Sequence, residues 1–290
     1  NSLIRCLESF GADIRHSSEV KKVTVQNGRA TGVELASGEK FTADSCVIGQ
    51  IHPWLLSSMV DGLDPVLVEN AKNTITSRFI VMANHYALKE EPKYVVGDEP
   101  YEATMIGFAC SDYESYLRVF DEFRYGKFGN HPIFSAILNS HYDQSRVPEP
   151  GNGALTIWRM VPFELADGGS AAWDDVKERI AEEALEEYRR YAPNVTSDNI
   201  IGQYVDSPLD MLRYNPTFQR GDVGGIGKYF FQMGGHRPTP ELAQYAVPGV
   251  EALYLAGTFM HPPGGVTGGG RATAIKICED LDIDFDKLIG

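Results

Sequence analysis

Hydrophobic and polar residues are spaced in two different ways along the N-terminal part of the chain. The apolar residues of Leu3–Phe10 recur at helical spacing, and Gly11 stands where such a helix would end. Segments 20–25, 30–35 and 40–43 alternate more nearly at strand spacing and are separated by Asn-Gly and Ser-Gly. The pattern predicts a helix followed by a three-stranded meander.

Two short apolar runs predict buried strands near opposite ends of the chain. Residues 45–49 form the first run, and residues 253–256 form the second. A glycine-rich tract and then a predicted helix over 272–281 follow the second run. A further short strand is predicted over 13–15.

The middle of the chain has longer periodic segments and many aromatic residues. Predicted strands lie at 78–88, 103–109, 133–139 and 154–161, and predicted helices at 113–125 and 173–191. The second helix has an apolar stripe and an acidic opposite face, which is typical of a helix that covers a core. Most aromatic residues between 101 and 128 are expected in the core, and the lining of an apolar substrate tunnel is the other interpretation.

These patterns together predict an α/β (α+β) fold with two domains. Residues 1–50 and 246–290 would form a partial, Rossmann-like domain built from both chain ends. Residues 51–245 would form an inserted domain with a mixed sheet.

The composition of the 290-residue chain is that of a globular protein, with 43% hydrophobic and 23% charged residues. A formal net charge of −14 disfavours binding to nucleic acid and to anionic membrane surfaces. No apolar run reaches the roughly 18 residues that a membrane-spanning helix needs. The four cysteines form no CxxC pair, so a cytoplasmic protein with reduced thiols is expected.

Several common site motifs are missing from the sequence. The histidines form no HExxH pair, so no metal site is expected. No GxSxG elbow is present for a serine hydrolase, and Gly227-Lys228-Tyr229 is not a phosphate-binding Walker loop.

The glycine tract is the strongest functional signal. Six glycines and two prolines fall between residues 257 and 270, directly after a predicted strand and before a predicted helix. Ligands of open α/β sheets lie at this place, where glycines allow close approach of the backbone and the amides of the helix favour negative charge. The other interpretation is a simple turn before the C-terminal helix.

Several stretches resemble one family of flavoproteins. Residues 253–258 followed by His261–Gly268 resemble the C-terminal flavin-binding signature of the phytoene desaturase, carotenoid isomerase and retinol saturase group of FAD-dependent oxidoreductases. The meander around Thr31–Glu39, the Ser207-Pro208-Leu209-Asp210 segment and the His236-Arg237-Pro238 turn also resemble that group. Residues 55–200 match only loosely.

The resemblance implies contacts with FAD. Val20 would hold the adenine side through its backbone, Gly257 and Thr258 would lie near the ribityl-pyrophosphate, and amides around 264–268 would face the isoalloxazine ring. The predicted cofactor-binding residues are Val20, Gly257, Thr258, Pro263, Gly264, Gly265, Val266, Thr267 and Gly268.

The same resemblance implies hydride transfer from an apolar, polyene or lipid-like small molecule to the flavin. The cofactor carries this chemistry and the protein supplies orientation and electrostatics. Arg237 and His236 are candidates to stabilise the reduced flavin, and His261 is the candidate nearest to the ring. Each of the three is also interpretable as an ordinary loop residue.

The family's N-terminal GxGxxG segment is not found in these residues. We therefore expect a fragment of a dehydrogenase or desaturase that binds FAD poorly by itself and is inactive alone. Two alternatives remain: an inactive flavoprotein remnant that acts as a binding module, and a flavoenzyme similar to amine oxidases with a polar substrate.

Overall fold

The structure is a computed structural model that describes residues 2–264 and 268–289. The strands are β1 Val20–Gln26, β2 Arg29–Leu35, β3 Lys40–Thr42, β4 Val47–Gly49, β5 Ile80–Leu88, β6 Ile106–Phe108, β7 Phe134–Leu138, β8 Gly153–Val161, β9 Ile200–Asp206 and β10 Leu253–Leu255. The α-helices are α1 Ser2–Ser9, α2 Leu56–Met59, α3 Pro65–Lys72, α4 Tyr113–Arg124, α5 Asn139–Tyr142, α6 Trp173–Arg189, α7 Pro208–Tyr214, α8 Gly269–Asp280 and α9 Phe285–Ile289.

The chain divides into two compact units. Unit 1 combines Asn1–Thr74 with Lys228–Gly290, and unit 2 is the continuous segment Ile75–Gly227. The sequence placed the inserted domain at 51–245, so the observed inserted unit is shorter at both ends. Whether the units serve as cofactor and substrate domains stays a prediction.

Long-range polar contacts explain why the flanking segments belong to unit 1. Lys22 of β1 forms an ion pair with Asp61 at 2.5 Å. The Arg237 guanidinium donates to the Thr258 carbonyl at 2.8 Å. Sequence periodicity carries no information about such contacts, which is why the predicted bounds differ from those of the compact units.

The meander of unit 1 is confirmed. Strands β1, β2 and β3 form an antiparallel sheet in that order, and Asn27 and Gly28 turn the chain with φ of 51° and 78°. At Gly32 a Cβ would lie 1.9 Å from the Phe41 carbonyl oxygen, so only glycine fits this crossing of two strands. The predicted strand at 13–15 is wrong, because these residues have no neighbouring strand to pair with among the described residues.

The two apolar runs of unit 1 form a parallel pair. Val47 pairs with Leu253, and Gly49 pairs with Leu255. Segments about 200 residues apart in the sequence thus meet in one small sheet. Helix α8 is attached to β10 by Thr273, whose hydroxyl donates to the Leu255 carbonyl at 3.0 Å.

Unit 2 is built on a five-stranded antiparallel sheet in the order β6-β7-β8-β5-β9. The four predicted strands and both predicted helices of this region are confirmed. Strand β9 was missed because Gly202 interrupts its pattern and because it lies at an edge, where only Val205 and Asp206 are buried.

Helix α6 covers one face of this sheet. Its stripe of Ile180, Ala184, Leu185 and Tyr188 is fully buried against β5 and β8. Helix α4 packs over part of the other face. Most aromatic residues between 101 and 128 pack in these clusters, whereas Tyr113 and Tyr125 are exposed.

Helix α1 confirms the predicted N-terminal helix, and Gly11 follows it with a φ of 82°. None of its residues is buried, and Phe10 directly after it is 86% exposed. The described part of the chain contains no helix that is both long and apolar enough to cross a membrane.

Candidate functional site

The carboxyl ends of β4 and β10 lie side by side in unit 1. Gln50 to His52 leave β4, and Ala256 to Thr258 leave β10 at the same edge. The Ala256 amide donates to the Gly49 carbonyl at 3.1 Å, which continues the pairing beyond the strand. This edge is where open α/β sheets bind their ligands.

The first part of the glycine tract is packed tightly against the exit from β4. Gly257 has a φ of 121°, and a Cβ there would lie 2.8 Å from the Cγ atom of Gln50. Phe259 and Met260 are completely buried. The backbone of 257–260 is therefore held in one position, and Gly257 allows both its conformation and its close approach to Gln50.

Two polar atoms of the tract are buried and have no hydrogen-bond partner among the described residues. They are Oγ1 of Thr258 and Nδ1 of His261. A buried polar group without a partner costs about 1–3 kcal/mol, so such atoms are rare in folded proteins. Their position in the tract is what a site for a polar ligand requires.

Arg237 fixes the backbone of the tract from inside unit 1. The residue is completely buried, and its guanidinium donates to the carbonyls of Met260 at 3.2 Å, Thr258 at 2.8 Å and Gln232 at 3.3 Å. It brings a positive charge beside the tract and positions the loop. The peptide bond from Arg237 to Pro238 is cis.

His236 lies in a different environment from its neighbour. It is exposed and lines a cavity of about 350 Å³ together with Phe231 and Pro238. The structure therefore separates the two residues that the sequence grouped, because Arg237 faces the interior of unit 1 and His236 faces this cavity.

The second part of the tract leads into α8. The carbonyl of His261 accepts a hydrogen bond from the Tyr245 hydroxyl at 3.0 Å, and Pro263 and Gly264 are half-buried. Gly268 precedes α8, and a Cβ on it would lie 2.4 Å from Pro262. The predicted residues Gly265, Val266 and Thr267 lie outside the described residues.

Val20, the predicted adenine contact, is the first residue of β1. Its register partner is Leu35 of β2, and its side chain is 38% exposed. Because β1 is an edge strand of the described meander, one side of its backbone faces away from β2.

The sequence did not single out the residues that follow β4. His52 is completely buried, and its Nδ1 accepts a hydrogen bond from the Trp54 amide at 3.1 Å. Its ring centre lies 6.2 Å from that of Phe259. The signal that could have found Gln50 and His52 is their position directly after a buried parallel strand.

A hydrogen bond at the C-terminal end of α8 also attaches this helix to β10. The Tyr254 hydroxyl donates to Asp280, the last residue of α8, at 2.9 Å. Burial and this hydrogen bond raise the pKa of Tyr254 to about 12. Hydrogen bonds from Lys276 and Tyr254 hold the pKa of Asp280 below its ordinary value.

Comparison with known proteins gives distant relatives. No family model matches the chain. A limonene dehydrogenase subunit from Castellaniella defragrans is 22% identical over 293 residues, covering 95% of this chain and 52% of that protein. Pyridine nucleotide-disulfide oxidoreductase domain-containing protein 2 from Rattus norvegicus is 26% identical over 288 residues, covering 94% and 48%. These relatives are oxidoreductases. The chain spans about half the length of each relative.

Solved structures share the fold. An oxidoreductase from Methanosarcina mazei matches with a TM-score of 0.53 at 15% identity, over 97% of this chain and 52% of that one. A protein from Pyrococcus furiosus matches with a TM-score of 0.50 at 13% identity, over 98% and 51%. The predicted α/β fold, a partial Rossmann-like arrangement, is confirmed.

Proposed function

We propose that this chain is part of an FAD-dependent oxidoreductase, a dehydrogenase or desaturase that removes hydride from an apolar small molecule. The observation that carries this proposal is the glycine tract at the carboxyl ends of β4 and β10. Its fixed backbone and its two buried polar atoms without partners among the described residues fit a cofactor with many hydrogen-bonding groups. The oxidoreductase names of the distant relatives agree with this class.

The residues of unit 1 fit the flavin side of the cofactor. Gly257 would allow the pyrophosphate or ribityl chain to approach the backbone, and Thr258 Oγ1 would form a hydrogen bond with it. The N-terminus of α8 would add favourable partial positive charge. Gly264 and Gly268 belong to the same proposed surface, and the assignment of Gly265, Val266 and Thr267 to the cofactor stays a prediction from the sequence.

Bound FAD would supply the hydride acceptor. The residues of this chain would orient the ring and exclude water from it. Arg237 would hold the loop in place and bring a positive charge beside it. This charge would stabilise the negative charge that the flavin gains when it is reduced. His261 would donate or accept one hydrogen bond through Nδ1.

Unit 2 has an open sheet face that would accommodate a small molecule. The part of its sheet opposite α6 that α4 leaves open carries Ala87, Gly202 and Trp158, which is 43% exposed. The same face also carries His85, whose Nδ1 lies 3.1 Å from the Thr156 hydroxyl. A Cβ at Gly202 would meet no atom within 4 Å, so there is room above this strand. The proposed apolar substrate class therefore rests on the resemblance of the sequence to the desaturase group, and the substrate test below decides between it and a polar amine.

The test is the flavin content of the full gene product, purified beside the 290-residue chain. The full product should carry FAD, identified by its visible absorbance and by chromatography of the released cofactor. The 290-residue chain alone should bind FAD weakly, since the sequence shows no GxGxxG turn for the ADP half. Apolar candidate substrates should then bleach the flavin absorbance of the full product under anaerobic conditions.

Two results would contradict the proposal. A full gene product that contains no flavin and binds none on titration would remove the cofactor assignment. Bleaching by polar amines and not by apolar compounds would keep the flavin but overturn the substrate class.

A further inference from the structure

Unit 2 contains a cavity of about 460 Å³ that lies apart from the sheet surface described above. It is formed between the end of α4, the segment after β8 and the 3-10 turn at Gln219–Gly221. Its lining is unusual for an acidic protein, because it includes three arginines, Arg78, Arg124 and Arg220, and only one acidic residue, Glu164, within the described part of the chain. The chain as a whole carries a formal charge of −14.

The three arginines keep most of their hydrogen-bonding capacity. Arg78 is exposed and has no hydrogen bond or ion pair within the described ranges. Arg124 makes a long, exposed contact of 3.4 Å with Asp121. Arg220 lies 3.7 Å from Glu164. Exposed pairs of this kind contribute about 0–1 kcal/mol, so an anion could replace them at little cost.

Glu164 already accepts a hydrogen bond within its own loop. One of its carboxylate oxygens accepts a hydrogen bond from the Ser170 amide at 3.0 Å. As one carboxylate against three guanidinium groups, it neutralises only part of the positive charge of the lining. The cavity is left with a formal surplus of positive charge from its guanidinium groups, which are suited to bidentate binding of carboxylate or phosphate.

The walls of the cavity are held by close backbone packing. A Cβ at Gly126 would lie 2.5 Å from the Ala166 nitrogen, and a Cβ at Gly221 would lie 2.4 Å from the Pro208 carbonyl oxygen. Arg220 itself has a φ of 55°, a left-handed conformation that is uncommon for a residue with a side chain. Such strain persists where the surroundings fix it and often marks a functional position.

Aromatic and aliphatic side chains make up most of the rest of the lining. The side chains of Phe123 and Phe163 are largely buried at the cavity, and the Arg220 guanidinium lies 5.4 Å from the centre of the Phe163 ring. The Phe163 carbonyl accepts a hydrogen bond from the Trp173 indole at 2.9 Å, which holds this segment against the core. The cavity thus combines a cationic rim with an apolar floor.

We propose that this cavity binds an organic anion, with an oxyanion headgroup on Arg78, Arg124 and Arg220. Its apolar body would lie against the Tyr125 ring, which is 70% exposed, and over the accessible edges of Phe123 and Phe163. The headgroup is a carboxylate or a phosphate, which the guanidinium groups recognise through the same geometry. This site needs no flavin, so its test does not depend on the proposed oxidoreductase function.

The test is isothermal titration calorimetry on the intact chain with four probes: dodecanoate, dodecyl phosphate, inorganic phosphate and dodecanol. One or both of the first two should bind, and the tighter of them identifies the headgroup. Inorganic phosphate lacks the apolar body and dodecanol lacks the charge, so each should bind at least about tenfold more weakly. Added salt should weaken binding of the anion.

Variants assign the binding to this cavity. Arg78→Gln and Arg220→Gln should each weaken binding about tenfold, while Arg190→Gln, an exposed arginine directly after α6 and outside the cavity, should leave it unchanged. Arg78 has no partner in the described structure, so its variant should fold and unfold as the wild type does. Equal affinity for dodecanol and the two anions, or unchanged affinity in Arg78→Gln, would overturn the proposal.

Discussion

The most specific contact that the proposed function predicts is a hydrogen bond between the Thr258 hydroxyl and the cofactor. This buried hydroxyl has no partner in the described structure, so the free protein should gain little from it. Thr258→Val keeps the shape of the side chain and removes the hydroxyl. We expect the free energy of unfolding without cofactor to stay the same or to rise by about 1 kcal/mol, and the affinity of the full gene product for FAD to fall about tenfold.

Chemical denaturation of the apoprotein and FAD titration measure the two effects separately. Thr42→Val, at an exposed position of β3, is the matched control and should change neither quantity. A Thr258→Val protein that is clearly less stable and binds FAD normally would show that the hydroxyl serves the fold instead.

Asp210 gives unit 2 a pH-dependent contribution to stability. Its carboxylate accepts hydrogen bonds from Lys177 at 2.9 Å and from the Ser207 hydroxyl at 2.8 Å, beside the capping box of α7 that joins Ser207 and Asp210. Burial raises the pKa of Asp210, but these hydrogen bonds outweigh it and the pKa lies below its ordinary value. The carboxylate therefore stabilises the fold above the unfolded-state pKa of about 3.9, and this stabilisation is lost as the pH falls further.

Asp210→Asn should lower the free energy of unfolding by about 1 kcal/mol at neutral pH. The difference from the wild type should shrink as the pH falls below about 4, since the wild-type carboxyl is then protonated too. Urea unfolding across this pH range measures it, with Asp198→Asn, an exposed turn residue, as the control. A difference that stays constant with pH would exclude the charge as its cause.

At the scale of single elements, β5 carries a polar residue at a core position. Asn84 is completely buried, pairs with Ile157 and Val205, and shares the face of β5 that α6 covers. Neither amide atom of its side chain has a partner in the described part of the chain. Asn84→Val should therefore raise the free energy of unfolding by about 1 kcal/mol or more.

Valine also has a higher strand propensity than asparagine, so the experiment needs a control for that effect. Ala87→Val, at an exposed position on the opposite face of the same strand, supplies it. Thermal unfolding of both variants should show the larger gain for Asn84→Val. A loss of stability in Asn84→Val would mean that the amide has a stabilising partner, such as a buried water.

Elements whose signals are local were predictable from the sequence. The meander followed from two glycine turns, and α6 followed from a stripe that is buried as expected. Strand β9 was not predicted, because its glycine and its exposed edge position remove the alternation of apolar and polar residues. In the candidate site, the glycine tract was visible, whereas Gln50 and His52 become neighbours of the tract only through the pairing of β4 with β10.

At the scale of the whole molecule, unit 2 should be an independent folding unit. Its three core clusters draw all their members from the segment Ile75–Gly227, which at about 150 residues is a usual size for a domain. A protein with these residues alone should unfold in one cooperative transition and give dispersed amide signals in NMR. The control is the predicted domain 51–245, whose additional ends should add mobile signals and no stability; failure of 75–227 to fold would contradict the division.

The central claim is that a flavin lies against the glycine tract of unit 1, and a structure of the FAD-loaded full gene product tests it most directly. We predict that a ribityl or pyrophosphate oxygen lies within about 3.2 Å of Thr258 Oγ1 and that His261 Nδ1 contacts the cofactor or a water bound to it. FAD bound elsewhere, with both of these atoms still buried and unpartnered, would contradict the claim.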